Sequence, residues 1–549
     1  MNKHGEKMKI EIAAVSVKIK KCVLNHYYYL TPLLLFLSFP FSEYFTLFPL
    51  FAHFAFVPLF YKLRGNGFRK NLIISFSTGV ISFLLLNSWM RKFGAGASGG
   101  ESVILLALIP ALSAQFALKC AITEKLASYN ERFRLIIFPG VWLFFDFISN
   151  LGFIAFPWNF LGYSQYPLVS YIQTASLAGV YAVTFAVLFS NIVITDLMLK
   201  YPIFMNLKRK ALIFFIIKNI RPLIVLNCVI ILFGIVRLNL PHEKTSPKLM
   251  KFAIVQNCQN PWDNWMKYRY QFLNDHLNFS QRVLDENPDT DMIVWSESAT
   301  LEPVSYQLRN GQHSKFVQII SDFAKQQNKY ILTGEIGKER PDVGKTEWYN
   351  SACLIAPDGK LAGYHYKTHL APVGEWFPYA KWFPSFQEYL YSMGSSDFTP
   401  GKSMTIMKAG NYSFFTAICY ESIFTGINRK FPEAGADFAV VITNDGWSDS
   451  YQGHYQHFSS SIFRAVETGL WYVRAGNSGK SALINPEGRI TAEMPILKRG
   501  SFAAGADFSE NRKTLYSKFG DSLMFLYFFV CIMLLIFSLI KTKLAERGR

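Results

Sequence analysis

Three residues spread over the second half of the chain have the types that acyl transfer needs: Glu297 in IVWSESAT, Lys367 in GYHYKTHLAPVGEWFP and Cys419 in FFTAICYESIF. A thiol with its ordinary pKa of roughly 8.5 is a poor nucleophile at neutral pH until a neighbour takes its proton. A carboxylate in a partly apolar pocket is able to do so, and an ammonium balances that carboxylate and steadies the oxyanion that forms when the thiol attacks a carbonyl. A Cys–His pair is the weaker expectation. His365 and His369 flank Lys367 in an ordinary polar run, and His454 and His457 fall in a helical stretch. Singly, the three have plainer readings, as a capping carboxylate, a surface charge and a core thiol. The set carries the chemistry only if the fold gathers it.

Such gathering is what strand ends do in α/β folds, where a rigid sheet holds side chains at its edge. Each of the three follows or closes a short apolar run. Between about 241 and 521, runs such as KFAIVQN, DMIVWSES, KYILTGEIG and DFAVVITND alternate with polar helical stretches such as QFLNDHLNFSQRVLDENP. This predicts an α/β domain over 241–521. The flanks differ: the whole chain is 51% hydrophobic and 16% aromatic, too apolar for a purely soluble protein. Runs long enough to cross a bilayer predict about eight spans, near 23–40, 44–62, 72–90, 102–122, 135–155, 172–198, 222–240 and 522–540. The stretch PLVSYIQTASLAGVYAVTF could hold a re-entrant or interfacial piece ahead of the sixth. The expected organisation is therefore a membrane domain over 1–240 with about seven helices, the α/β domain over 241–521, and a last helix with its tail over 522–549.

The net charge of +18 lies outside the α/β part, which carries 29 Lys and Arg against 29 Asp and Glu and leaves 27 against 9 for the rest. A nucleic-acid binder would need its basic stripe on the folded domain, so that class is set aside. The excess cations collect before the first span (Lys3, Lys7, Lys9, Lys18, Lys20, Lys21), in KLRGNGFRK, TEKLASYNERFR and LKRKALIFFIIKNIR, and after the last span. Every second connection is basic, which places those connections in the cytoplasm and 241–521 outside. The first span reads as retained, since no convincing cleavage site follows it. Cys22, Cys120, Cys228 and Cys531 lie in or beside spans, whereas Cys258, Cys353 and Cys419 fall in the exported part, so at least one of these three stays unpaired. No cysteine pair has the CxxC spacing of a metal or redox site, and neither metal nor cofactor is expected.

The ordered set WSES, YKTHLAPVGEWFP, AICYES, TNDGW and RAVETGLWYVRAGNSG resembles the nitrilase superfamily. The multi-span flanks and PWNFLGYSQ resemble one membrane-embedded branch of it, the bacterial apolipoprotein N-acyltransferases. The resemblance implies an αββα sandwich beside the helical membrane domain, with Glu297 as general base, Lys367 as the transition-state lysine and Cys419 as nucleophile. It implies support from Glu375, Tyr420 and Glu421, and an acyl path near Trp265. It further implies a multi-pass protein of the bacterial inner membrane whose catalytic domain is periplasmic. Its acyl donor would be a phospholipid, commonly phosphatidylethanolamine, and its acceptor the α-amine of a diacylglyceryl-modified N-terminal cysteine on a lipoprotein. Ser448, Asp449 and Lys480 depart from the family's usual residues and concern the shape of the cleft.

Two other classes predict something different. A tethered amidase would use the same triad with water and would need no array of spans. A transporter would line its path with ionisable residues, and the spans hold few, chiefly Asp146 and Asp196. Between Glu375 and Asp397 the run EWFPYAKWFPSFQEYLYSMGSSD carries more aromatics than a surface loop needs. It is expected to form a mobile lid on the outer leaflet, with Trp376 and Phe377 near the substrate. The orientation has a direct check: a membrane-impermeant amine or thiol reagent applied to spheroplasts should label 241–521 and spare KLRGNGFRK and LKRKALIF. The opposite pattern inverts the topology.

Overall fold

The computed structural model describes all residues except 1–25, 42–47, 93–103, 153–154, 205–207, 241–245, 312, 342–344, 378, 393, 449 and 548–549. The basic residues before the first expected span, together with Cys22 and Asp449, lie outside the described residues. Two six-stranded sheets form the α/β part. The first has the order β12-β1-β2-β3-β4-β5 and the second β11-β10-β9-β8-β7-β6. Their strands are β1 (Leu249–Gln256), β2 (Met292–Val294), β3 (Tyr330–Glu339), β4 (Glu347–Ile355), β5 (Leu361–Tyr366), β6 (Ile406–Ala409), β7 (Tyr412–Ile418), β8 (Phe438–Thr443), β9 (Trp471–Gly476), β10 (Ser481–Ile484), β11 (Ile490–Met494) and β12 (Gly500–Asp507). β1, β2 and β3 run parallel, as do β7, β8 and β9.

The two-residue period of a strand decides what each face meets. In β7, Phe414 and Ile418 join Phe252, Val294 and Ile442 in the core between the sheets. Phe415 and Ala417, on the other face of β7, pack into a cluster that runs on without a break through Phe463 to Phe138, Trp142 and Tyr181 of the apolar helices. On the outer face of the first sheet, Ala253, Val255 and Ile293 pack beneath the helices Trp265–Glu286 and Lys315–Gln327. The order of layers is helix, sheet, sheet, helix, as expected. One outer layer is shared with the apolar helices.

Among the described residues five helices are long and apolar enough to cross a bilayer: Phe68–Leu86, Leu105–Ala127, Val180–Pro202, Arg209–Asn239 and Ser522–Lys541. Two shorter apolar segments, Tyr27–Ser38 and Phe48–Leu63, stand where the first two spans were expected. The fifth expected span, 135–155, is a 15-residue helix, Arg134–Ile148, only about 22 Å long at 1.5 Å per residue. It ends early because the chain turns there to reach the α/β part. The sixth span starts at Val180: Gly179, at φ +68°, sets it off from two short helices, and a Cβ there would meet the Tyr516 ring at 2.9 Å.

Hydrogen bonds fasten the halves to each other. The Val180 N–H donates to Glu467 Oε1 (2.8 Å), Ser448 Oγ to the Trp89 carbonyl (3.0 Å), and Gln456 Nε2 to the Leu86 carbonyl (3.1 Å). Gly453 lies so close to the Trp89 ring that a Cβ would sit 2.9 Å from it. We expect Gly453→Leu to lower the melting temperature by several degrees and to leave the α/β part open to protease. An unchanged melting curve would mean that the seam gives way freely.

Candidate active site

Glu297, Lys367 and Cys419 follow β2, β5 and β7 and converge at one edge of the paired sheets. Lys367 is 1% exposed. Its Nζ lies 3.4 Å from Glu297 Oε1 and 2.9 Å from Glu375 Oε1. Asn350 Nδ2 bridges the two acids, donating to Glu297 Oε1 (2.7 Å) and to Glu375 Oε1. The second oxygen of each acid takes a backbone donor, the Asn444 N–H for Glu297 and the Ala371 N–H for Glu375, each at 2.7 Å. Burial alone would strip the proton from Lys367, but the charges of Glu375 and Glu297 outweigh it and hold the side chain as ammonium. Gly334 makes the approach of β3 possible, since a Cβ there would stand 2.6 Å from the Glu297 Cα.

Cys419 begins a short 3-10 turn, Cys419–Ile423, and takes φ +50° to do so. Ser298, after Glu297, has φ +57°. Left-handed backbone at non-glycine residues costs energy and persists where the surroundings force it. Burial and the nearby Glu297 charge push the Cys419 thiol well above its ordinary pKa, with Lys367 opposing.

Glu421 holds the Cys419 turn and the lysine loop together. It is fully buried, and its Oε2 accepts from the Ile418 N–H (2.9 Å) while its Oε1 accepts from the N–H and hydroxyl of Thr368 (2.7 Å each), the residue after Lys367. Burial would raise its pKa, yet the hydrogen bond and charge of His365 and those donors outweigh it and hold the carboxyl at about 2. Tyr420 reaches the other way, its hydroxyl donating to the Ala155 carbonyl of the membrane half (2.6 Å).

A cavity of about 1170 Å³ opens onto these groups. Its wall includes Glu297, Lys367, Glu375 and Cys419 on one side and Leu108, Ala111, Leu112 and Gln115 of the Leu105–Ala127 helix on the other. Trp265 lines it and also packs on Phe272 and Phe316, so it serves both cavity and core. Phe377 lines it as well, whereas Trp376 does not. Trp382, 75% exposed, and Phe383 project outward from the same segment, whereas Phe386 and Tyr389 line the cavity while staying partly exposed. Ser448 is in the wall too. Lys480 lies away from it, with Nζ 3.0 Å from Glu493.

Sequence reasoning passed over a second group. His457, set aside above as a helical residue, sits with Asp445 beside the nucleophile, and the Cys419, Asp445 and His457 donor atoms all lie within 4.8 Å of one another. Asp445 accepts from His457 Nδ1 (2.7 Å) and Arg474 (3.0 Å), and the charges of these two outweigh burial to keep its carboxyl well below the usual range. The available signals were an arginine inside the apolar strand WYVRAG and the Asn in EWYNSACLI, polar groups that only a site would keep in strand interiors.

A cysteine beside a buried Glu–Lys pair stands at the edge of two facing sheets, and residues 251–510 match the family model described as carbon-nitrogen hydrolase. Residues 32–193 match the model for the apolipoprotein N-acyltransferase N-terminal domain. The chain is similar to apolipoprotein N-acyltransferase 1 of Treponema denticola, 26% identical over 90% of this chain and 92% of that one. It is also similar to the apolipoprotein N-acyltransferases of Geobacter metallireducens (28%, over 86% and 87%) and Borreliella burgdorferi (24%, over 90% and 90%). The two models together take in most of the chain, and these relatives named apolipoprotein N-acyltransferase match it over most of their length.

Because Glu421 titrates far below the ordinary carboxylate value, its contribution to stability is present above about pH 4.5 and fades as pH falls towards 2. A depression of this size corresponds to about 3 kcal/mol. The melting-temperature gap between wild type and Glu421→Gln should therefore be wide at neutral pH and close between about pH 5 and 2.5. A gap independent of pH would refute the assignment.

Proposed function

We infer that the protein N-acylates lipoproteins, moving a fatty acyl chain from a membrane phospholipid to the α-amine of a diacylglyceryl-modified N-terminal cysteine through a thioester on Cys419. The observation that carries this is the cavity, which has the Glu297–Lys367–Cys419 set in one wall and an apolar bilayer-length helix in another. Both substrates carry acyl chains, and each methylene held in lipid is worth about 0.8 kcal/mol, so a catalyst for them has to meet them at the bilayer. A water-using amidase needs no such wall.

In the first half-reaction Cys419 Sγ attacks the ester carbonyl carbon as its proton passes to Glu297. A carboxylate offers about four lone-pair positions; three donors already occupy Glu297, and one position remains for that proton. The oxyanion is held by the Lys367 ammonium and the Tyr420 N–H, which lies ahead of the first internal hydrogen bond of its turn. Collapse expels the lysophospholipid alkoxide, which takes the proton from Glu297 and leaves the thioester. In the second half the free amine attacks the thioester carbon and gives a proton to Glu297. The thiolate departs, regains the proton, and an amide remains. Glu375 and Asn350 position the ammonium throughout.

The charge pattern supports a bacterial inner-membrane protein with this site on the periplasmic face, and a phosphatidylethanolamine-like donor fits the reading. The outward aromatics of 376–397 suit a lid resting on the outer leaflet and admitting the two substrates in turn. We expect intact protein to gain the mass of one acyl chain on incubation with phospholipid, and Cys419→Ala to gain nothing. Glu297→Gln and Lys367→Arg should each fall at least a hundredfold in product formation while remaining folded, since a guanidinium does not fit the compact ammonium position. Normal turnover by Cys419→Ala would end the proposal. For the lid, paired Ser substitutions at Trp382 and Phe383 should slow acylation from bilayer phospholipid far more than from a short-chain soluble donor. Equal losses with a lowered melting temperature would make these residues structural.

A further inference from the structure

The peptide group joining Cys419 to Tyr420 has two ends, and each has a job. Its N–H is the oxyanion donor in the reading above, on which this inference rests. Its carbonyl is held from behind. Ser422 Oγ donates to the Cys419 oxygen at 2.7 Å, and His457 Nε2 lies 3.2 Å from that oxygen and 3.0 Å from Ser422 Oγ. The other ring nitrogen, Nδ1, faces Asp445 Oδ1 at 2.7 Å. Nδ1 also lies 3.2 Å from Arg474 Nη2, and it is with a proton on Nε2 that the ring donates to the Cys419 carbonyl. Asp445 is fixed in turn by Thr443 Oγ1 (3.0 Å) and Arg474 (3.0 Å).

One face of this ring is covered by the membrane half. Trp158 lies over His457 with ring centres 5.2 Å apart and planes inclined at 31°, and its Nε1 donates to Gln456 Oε1 at 2.9 Å. Trp89 packs on Trp158 at 5.0 Å. His457 and Trp158 both line the cavity, and with the indole stacked on it His457 is only 2% exposed.

The geometry points to Asp445 and His457, with Trp158 stacked on the ring, as positioning residues that polarise the Cys419–Tyr420 peptide and so strengthen its N–H as oxyanion donor. A donor on the carbonyl of an amide draws electron density from its nitrogen, and hydrogen bonds in a chain reinforce one another in a dry interior. Supplied by the membrane half, Trp158 makes the donor's strength depend on the seam between the halves as well as on the α/β fold.

The test separates oxyanion stabilisation from thiol reactivity. Full-length protein in detergent is assayed for acylation of Cys419 by a short-chain, water-soluble p-nitrophenyl ester, which passes through an oxyanion. It is also assayed for alkylation of Cys419 by iodoacetamide, a direct displacement that forms none. His457→Leu should slow acylation 30- to 100-fold and alkylation less than 3-fold. His457→Gln, whose amide N–H still donates to the carbonyl, should recover most of the acylation rate. Trp158→Leu should slow acylation about 10-fold with the soluble ester and equally with phospholipid, and Trp158→Phe should restore it. Parallel losses in acylation and alkylation, or a Trp158→Leu defect confined to phospholipid, would overturn the inference. If His457→Leu does not fold, the Gln and Trp158 variants decide by the same ratio. Absence of any acyl-enzyme in wild type would instead refute the proposed function.

Discussion

An ammonium taken out of water has to be neutralised where it sits, and most of this site follows from that requirement at Lys367. Glu297 and Glu375 neutralise it, Asn350 keeps the two acids from repelling each other apart, and backbone N–H groups of Asn444 and Ala371 fill the remaining carboxylate oxygens. Removing any one partner strands a charge or a donor in a dry pocket. The ends of β2, β5 and β8 and the interior of β4 are thereby locked to a common point, and the lysine loop is tied on through Thr368 to Glu421 and the Cys419 turn. The electrostatics that prepare the chemistry are also what fix the edge of the sandwich.

Legibility in the sequence tracked how local each constraint was. FFTAI and FAVVIT were readable as strands because a short apolar run rich in β-branched and aromatic residues is a property of neighbours. Glu297, Lys367 and Cys419 stood out by ending such runs. Asp445, His457 and Asn350 did not, since their importance comes from partners on other strands and helices. His457 in particular looks like any polar residue of an amphipathic helix until the helix is laid against β7. Span edges failed for a related reason. The apolar run through residue 155 is continuous in composition, yet the helix stops at Ile148 because the following residues pack on the α/β half, where burial in protein and burial in lipid select the same residue types.

That equivalence also explains how the two halves came to share a core. The outer face of β7 and β8 is as apolar as a bilayer-facing helix, and Phe415, Ala417, Ala439 and Val441 cluster with Phe138 and Tyr181. Polar fastening at the seam includes backbone groups that would otherwise be stranded, such as the Val180 N–H capped by Glu467.

The Leu105–Ala127 helix belongs at once to the bilayer and to the cavity wall. A helix in lipid adjusts its tilt to the thickness of the hydrocarbon around it, at a cost of fractions of a kcal/mol per ångström of mismatch. Here any such tilt moves Leu108, Ala111 and Leu112 against the catalytic cavity. A wall shared in this way makes the shape of the cavity answerable to the bilayer's thickness as well as to the packing of the protein.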